Sequence, residues 1–279
     1  MRDNLGALVR LALAEDVGPG DWSTDWIVDP GRLGRATIVA KADVVIAGGQ
    51  AAVAVFEEVD SALTVDAVRG DGSRVGPGEV VLEVNGPVSG ILTGERIALN
   101  FLGHLSGIAT LTSAYVDAVR GTGAKVVDTR KTTPGWRQLE KAAVRAGGGL
   151  NHRMGLYDMV MVKDNHITAA GGITAAVTEV RARNGRGLPV EVEVRALEEL
   201  EEALGLGVER ILLDNMDLPT LRSAVERTHR LGSGRPDLEA SGNVALDTIR
   251  DVADTGVDLV SVGALTHSAP VADLSLHMV

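Results

Sequence analysis

The 279-residue chain contains no cysteine. That excludes disulfide bonds, thiolate metal ligands and cysteine nucleophiles together, and it suits a reducing compartment. Aromatic residues make up only 3% of the chain. A core built under that limit is Val, Leu, Ile and Ala, and aromatic platforms on which single-stranded nucleic acid stacks are not expected. Nowhere do about eighteen uncharged apolar residues run together, as a membrane span requires. The start, MRDNLGALVRLALAEDVGPGD, has Leu and Val at helical spacing, but Arg10, Glu15 and Asp16 interrupt it too early for a signal-peptide core. It reads as the amphipathic first helix of a cytosolic protein that does not enter a membrane.

What is present is a globular composition, with 45% hydrophobic and 23% charged residues, long enough for one large α/β domain or for two smaller ones. The formal charge of -11 repels phosphate backbones and argues against DNA or RNA as a partner. One window reverses this sign. From Lys125 to His166 eight Lys or Arg stand against four acids, a balance of +4, while the rest of the chain carries -15. If those side chains converge, they focus a field on a small anion without making a general basic surface. Arg137, Lys141 and Arg145, spaced four apart, read as a solvated helix face.

Before about residue 105 the pattern is short β-prone runs, ATIVAKADVVIAGG, ALTVDAV and EVVLEVNGPVSGIL, with AAVAVFEEV as a helix between the first two. This predicts a small α+β domain with a mixed or antiparallel sheet. A long helical stretch follows, ERIALNFLGHLSGIATLTSAYVDAVRGTG, with Ile97, Phe101, Leu105, Ile108 and Leu111 on one face. Then strand-like runs alternate with helical patterns: AKVVDTRK, YDMVMVKDN, PVEVEVR, RILLDNM, DLEASGN and DLVSVGA. Their polar ends, Lys131, Lys163, Glu193, Asp214, Ser241 and Gly263, lie 32, 30, 21, 27 and 22 residues apart, the spacing of successive β/α units. Six such units predict an α/β barrel, with a doubly wound open sheet as the alternative; no GxGxxG opens the first unit. In either topology function gathers where strands end and loops to helices begin.

In VEVEVR, alternation puts Glu191, Glu193 and Arg195 on one face and three valines on the other. Both faces of a parallel strand are normally buried, so these carboxylates need cations, a metal or a ligand. Either Glu193 serves the site or it joins an ion network with Lys163 or Arg130. Asp214 ends RILLDN in the same way: with Glu193 it could hold hydrated Mg²⁺, or it could cap the next helix. Histidines 104, 152 and 166 lack zinc-site spacing. Asn151, His152 and Arg153, in the loop GGGLNHRMG, fit the reading of an anion, Arg by its planar fork and His as a tunable donor. EASGN and SVGALTHS each place small residues between strand and helix, which makes either a phosphate cradle or a plain tight turn.

Taken in order, GERIALNFLGHLSGIAT, DTRKTTPGWRQLEKAAVRAGGGLNHRMGLYDMVMVKDNH, VEVEV, ILLDN, EASGN and SVGALTH resemble the quinolinate phosphoribosyltransferase family over nearly the whole chain. DTRKTTPG together with GGGxNHRxGLxD is highly specific. The resemblance implies an N-terminal α+β sandwich over residues 1–106, followed by an incomplete (β/α) TIM-like barrel over 107–270, with 271–279 returning to the first domain. It implies phosphoribosyl transfer from phosphoribosyl pyrophosphate to quinolinate with decarboxylation, giving nicotinate mononucleotide for NAD biosynthesis. It also implies Mg²⁺ as cofactor, and a homodimer whose active site is shared. By the matched motifs Thr129, Arg130, His152, Arg153 and Lys163 hold quinolinate, with Arg96 arriving from the partner subunit. Lys131, Glu193 and Asp214 serve the sugar donor, the chemistry and Mg²⁺. Ser241, Gly242, Asn243, Val262, Gly263 and Ala264 cradle the 5-phosphate. Asn243 departs from the glycine of many relatives, though Asn also tolerates left-handed backbone. The rival readings are a related phosphoribosyltransferase acting on another ring, such as nicotinate, and a non-catalytic anion-binding scaffold.

Overall fold

Ala36, Ile38 and Ala40 fall at every second position of the first strand, and all three are buried while their neighbours are not. That one-sided burial is the mark of a sheet with one face on a core. A computed structural model describes residues 2–279; Met1, the first residue of the expected amphipathic helix, lies outside the described residues. Two compact units emerge, one made of residues 2–113, 132–148 and 265–279, the other of residues 114–131 and 149–264.

The first unit opens with helices α1 (Arg2–Asp16) and α2 (Trp22–Ile27). Strands β1 (Leu33–Ala40) and β2 (Val44–Val45), helix α3 (Gly49–Val59), and strands β3 (Thr64–Ala67), β4 (Arg74–Val75) and β5 (Val80–Pro87) follow, before the long helix α4 (Val88–Ala118). The last strand, β12 (Leu274–Met278), completes a four-stranded antiparallel sheet of order β12-β1-β5-β3, and β2 pairs with β4. Ile38, Phe56, Leu82, Val84 and Ile91 are fully buried in this unit. Each contributes roughly 1.5–3 kcal/mol of burial. Along α4, Ile97, Phe101, Leu105 and Ile108 are buried as the periodicity predicts, whereas Leu111 is half-buried. The helix is long and apolar enough to span a membrane, yet 72% of its apolar window is buried inside the protein, as in a core helix. Gly107 has no tolerance for a side chain, because a Cβ there would sit 2.0 Å from the Pro270 carbonyl oxygen.

Helix α5 (Arg137–Ala146) belongs to this unit although it lies within the sequence of alternating strands and helices. Trp136 stacks on Phe101 at 4.6 Å, and His104 meets the Trp136 ring edge-on. His104 Nε2 lies 3.0 Å from the buried Glu140, whose other oxygen accepts the Thr133 N–H. By compact packing residues 132–148 group with the first unit, across the 106/107 division drawn from the sequence. The solvated-face reading of α5 needs correcting. Arg145 is exposed and Arg137 half-buried, but Lys141 is fully buried, because its position turns toward the same interior as Ala143 and Val144.

The second unit holds β6 (Lys125–Val127), β7 (Val160–Val162), β8 (Val190–Val194), β9 (Arg210–Asp214), β10 (Asp237–Ser241) and β11 (Leu259–Ser261). Between them run α6 (Asp164–Ala170), α7 (Ile173–Arg183), α8 (Leu197–Gly205), α9 (Leu218–His229) and α10 (Ile249–Ala253), and the short α11 (Ala264–His267) follows β11. All six strands are parallel, in the order β6-β11-β10-β9-β8-β7. Consecutive strands are neighbours from β7 to β11, and the last then pairs with the first. A doubly wound sheet does not bring its first and last strands together in this way; a barrel opened at the β6/β7 seam does. At that seam Leu150 bridges to Val127 and takes up part of the exposed edge of β6. The outward rows, such as Val190, Val192 and Val194, Ile211 and Leu213, are apolar and buried.

Candidate active site

Inward rows alternate with those apolar ones, so each parallel strand sends residues i and i+2 to the barrel interior. Met161 and Lys163 come from β7 and its end, Glu193 from β8, Leu212 and Asp214 from β9. Glu239 and Ser241 of β10 and Ser261 of β11 complete this wall. With Thr129, Arg130 and Lys131 after β6 and with His152 and Arg153 from the following loop, they line one cavity of about 430 Å³. Four of the eight cations in the sequence window, Arg130, Lys131, Arg153 and Lys163, thus converge on the strand ends. Another depression, by Val160, Arg183 and Leu188, is about 580 Å³ but brings no such set of polar groups together.

The loop that supplies His152 and Arg153 is tied down by Asp128, the buried first residue of DTRKTTPG. Its carboxylate accepts the His152 backbone N–H at 2.9 Å and the Asn151 side-chain N–H at 2.6 Å. Asp158 accepts the backbone N–H groups of Met154 and Gly155, and Arg153 Nη1 donates to the Met159 carbonyl. Burial lowers the Arg153 guanidinium below its usual range, and the charge of Arg130 adds to that effect. Such mutual repulsion is the condition in which an anion is most welcome.

Glu193 is 8% exposed, and Lys163 Nζ donates to its Oε2 at 2.7 Å. The ion network considered from the sequence therefore exists, inside the cavity itself. Asp214 does not cap the next helix; Asp217 does so by accepting the Thr220 N–H. Instead, Arg195 spans the two carboxylates, 3.8 Å from Glu193 Oε1 and 3.5 Å from Asp214 Oδ2. Two hard oxygen donors sharing one cation fit the demands of Mg²⁺, which prefers few carboxylates and retained water.

Below this level lies a feature that sequence reasoning only half found. Glu191 is 0% and Glu239 1% exposed, both on inward rows where branched aliphatics are usual. His152 Nε2 approaches them at 2.9 and 3.3 Å, and Arg210 Nη1 lies 3.3 Å from Glu239. His152, Glu191 and Glu239 are close enough together to hold a metal ion, and Arg210 supplies a positive charge beside Glu239. Burial opposes charge on His152, yet the two carboxylates outweigh it and push the ring up to about 9. Burial likewise raises Glu191. Both shifts favour retention of a proton in the cluster. The Arg153 backbone N–H points at His152 Nδ1 at 2.7 Å, and that nitrogen accepts only while the ring is neutral, so this contact opposes the push of the carboxylates. Alternation in VEVEV was the signal for Glu191; nothing local singled out Glu239 or Arg210.

Of the phosphate-cradle residues, Ser241 lines the cavity. Gly242 takes φ +112° against Asn215, where a Cβ would lie 2.1 Å from the Asn215 Oδ1. Asn243 does adopt the left-handed backbone, at φ 49°. Val262 donates its N–H to the Val127 carbonyl, so its own amide is taken up by the sheet, and Gly263 and Ala264 follow it at the same strand end. Arg96 is an exposed residue of α4 in the first unit.

Family models match in two parts: quinolinate phosphoribosyl transferase, N-terminal domain, over residues 21–106, and the C-terminal domain over 108–277. The chain is 47% identical over 267 residues to a probable nicotinate-nucleotide pyrophosphorylase [carboxylating] of Synechocystis, covering 96% of this chain and 90% of that protein. It is 44% identical over 292 residues to the chloroplastic nicotinate-nucleotide pyrophosphorylase [carboxylating] of rice, covering 98% and 77%. The nicotinate-nucleotide pyrophosphorylase structure from Francisella tularensis superposes with a TM-score of 0.95 at 37% identity, over 100% of this chain and 97% of that one.

Proposed function

The chain belongs to the quinolinate phosphoribosyltransferase family, and from that premise we propose how its residues carry out the family reaction. Quinolinate displaces pyrophosphate from phosphoribosyl pyrophosphate and loses CO₂, giving nicotinate mononucleotide. The observation that carries this reading is the convergence of Arg130, Lys131, Arg153 and Lys163 with Glu193 and Asp214 on one cavity. A dicarboxylate and a phosphorylated sugar together bring several negative charges, and these cations are their counterweight.

In this reading Arg130, Arg153 and Lys163 clamp the two carboxylates of quinolinate, with Thr129 as a further donor and His152 beneath. Arg96 reaches the ligand from a second copy of the chain in a homodimer. Lys131 meets the sugar donor, and Ser241, Gly242, Asn243, Gly263 and Ala264 face its 5-phosphate. Glu193 and Asp214 would hold Mg²⁺, which supplies positive charge to the departing pyrophosphate. The same carboxylates stabilise positive charge on the ribose as the C1–O bond breaks. The pyridine nitrogen, held close by the cationic clamp, forms the new bond to C1. That nitrogen is then cationic, so the neighbouring ring carbon can release CO₂, keep the electron pair and take up a proton. The protein works in the cytoplasm; location is not uniform in the family, since the rice relative is named chloroplastic.

The deciding experiment mixes the protein with quinolinate, phosphoribosyl pyrophosphate and Mg²⁺ and follows nicotinate mononucleotide and CO₂. Product from quinolinate, and none from nicotinate, supports the reading. Turnover of nicotinate alone favours the related transferase, and binding without turnover favours a scaffold.

A further inference from the structure

We propose that Glu191 and Glu239 are positioning residues for dicarboxylate recognition, acting through His152 on Arg153. The inference rests on the functional reading above and goes beneath it, to what sets the anion clamp.

Two carboxylates sit almost wholly buried on inward rows of a parallel barrel, where Val, Ile or Leu would fill the space at no electrostatic cost. Burying each charge costs on the order of several kcal/mol unless it is well paired. Their pairing converges on one atom, His152 Nε2, which Glu191 and Glu239 reach from β8 and β10. Arg210, at the start of β9 between them, secures Glu239 from the other side. The opposite ring nitrogen, Nδ1, accepts the backbone N–H of Arg153. Nδ1 is thus hydrogen-bonded along the chain, while Nε2 meets the two glutamates below by charge at close range and not through an aligned hydrogen bond. The ring connects the barrel floor to the residue whose guanidinium lines the cavity.

The loop needs such a connection. It follows three consecutive glycines, Gly147 to Gly149, and only fixed side-chain geometry lets a guanidinium read a carboxylate bidentately. Asp128 fixes the backbone of His152, and the glutamates fix its ring. Glu191 also offsets the repulsion between Arg153 and Arg130. The glutamates touch neither reactant in this scheme; they act on the clamp by way of the imidazole.

Glu191→Gln and Glu239→Gln keep shape and remove charge. Each should raise the KM for quinolinate about tenfold, the size of one lost hydrogen bond to a charged group, while kcat and the KM for phosphoribosyl pyrophosphate stay within about threefold. In a double-mutant cycle, Glu191→Gln added to Arg153→Ala should cost little more than Arg153→Ala alone, because the glutamate acts through the arginine. Equal loss for both substrates, full additivity with Arg153→Ala, or an unchanged quinolinate KM in folded variants would overturn the inference. Glu239→Asp, which restores a carboxylate, should recover part of the loss. Should Glu191→Gln unfold, the two Glu239 variants carry the test; collapse of all three would show a structural pillar and nothing more. If the wild-type protein makes no nicotinate mononucleotide, the functional reading fails first, and the two failures stay distinct.

Discussion

The antiparallel sheet of the first unit and the parallel sheet of the second use strand alternation to opposite ends. In β1 the buried positions are Ala36, Ile38 and Ala40, and the polar positions face outward. In β8 all five residues are buried, and two of them are glutamates. A one-faced sheet can place its polar groups in water, whereas a strand covered on both faces cannot. A charge on the second kind of strand must be answered by a partner or a ligand. Buried polarity in the parallel sheet therefore points to chemistry, while buried residues of the antiparallel sheet carry stability.

The sharpest way to break that contrast is Glu193→Gln. If the carboxylate stabilises charge at the reacting centre, kcat should fall roughly 10²- to 10³-fold with little change in quinolinate KM; steady-state kinetics with an unimpaired kcat would take Glu193 out of the mechanism. Arg153→Ala comes next. It should raise the quinolinate KM by about 30-fold, in the range for removing one partner of a buried charged contact, and alter the KM for the sugar donor far less. Ile38→Val probes the other sheet. It should cost about 1 kcal/mol in urea unfolding and leave both KM values unchanged, since it removes only one buried methylene. A shift in either KM would show that the antiparallel sheet is more than support.

A further effect is in pH. The folded-state value of His152 is raised from 6.5 to about 9, so its contribution is fully present below pH 6.5 and is lost as pH rises through about 9. Glu191 is raised as well and acts with the same sign. Stability measured by denaturant midpoint should therefore decline across that window, and the decline should flatten in Glu239→Gln. A slope of opposite sign would mean that the buried cluster does not hold its proton.

Much of the site was legible before any coordinates, because the functional side chains sit at strand ends and strand ends repeat along the chain. Spacing alone marks Lys131, Lys163, Glu193, Asp214, Ser241 and Gly263 as strand ends, and all but Gly263 line the cavity. Residue chemistry marked His152 and Arg153 as anion readers, and motif resemblance supplied their ligand and the role of Arg130, since loop geometry has no period to read. Lys141 was misjudged because a charge at helical spacing looks the same whether its face meets water or a core. The N–H of Val262, a residue of the expected phosphate cradle, belongs to the ladder with β6. Register of that kind is set by strands distant in sequence.

What the chain determined by itself was local: the period-two alternation that buries Glu191 and Glu193, the helical face of α4, and the β/α rhythm that implies a parallel sheet. What only the tertiary structure decided was which charges meet. Closing the β6 and β11 pair brings the Lys125–Val127 segment beside the last strand, and the strands between carry Glu191, Arg210 and Glu239 to the imidazole of His152. Alternation chooses the face of a strand from its own residues, but ion pairing falls off over a few ångströms, so partners are chosen by the packing that brings distant segments within that reach.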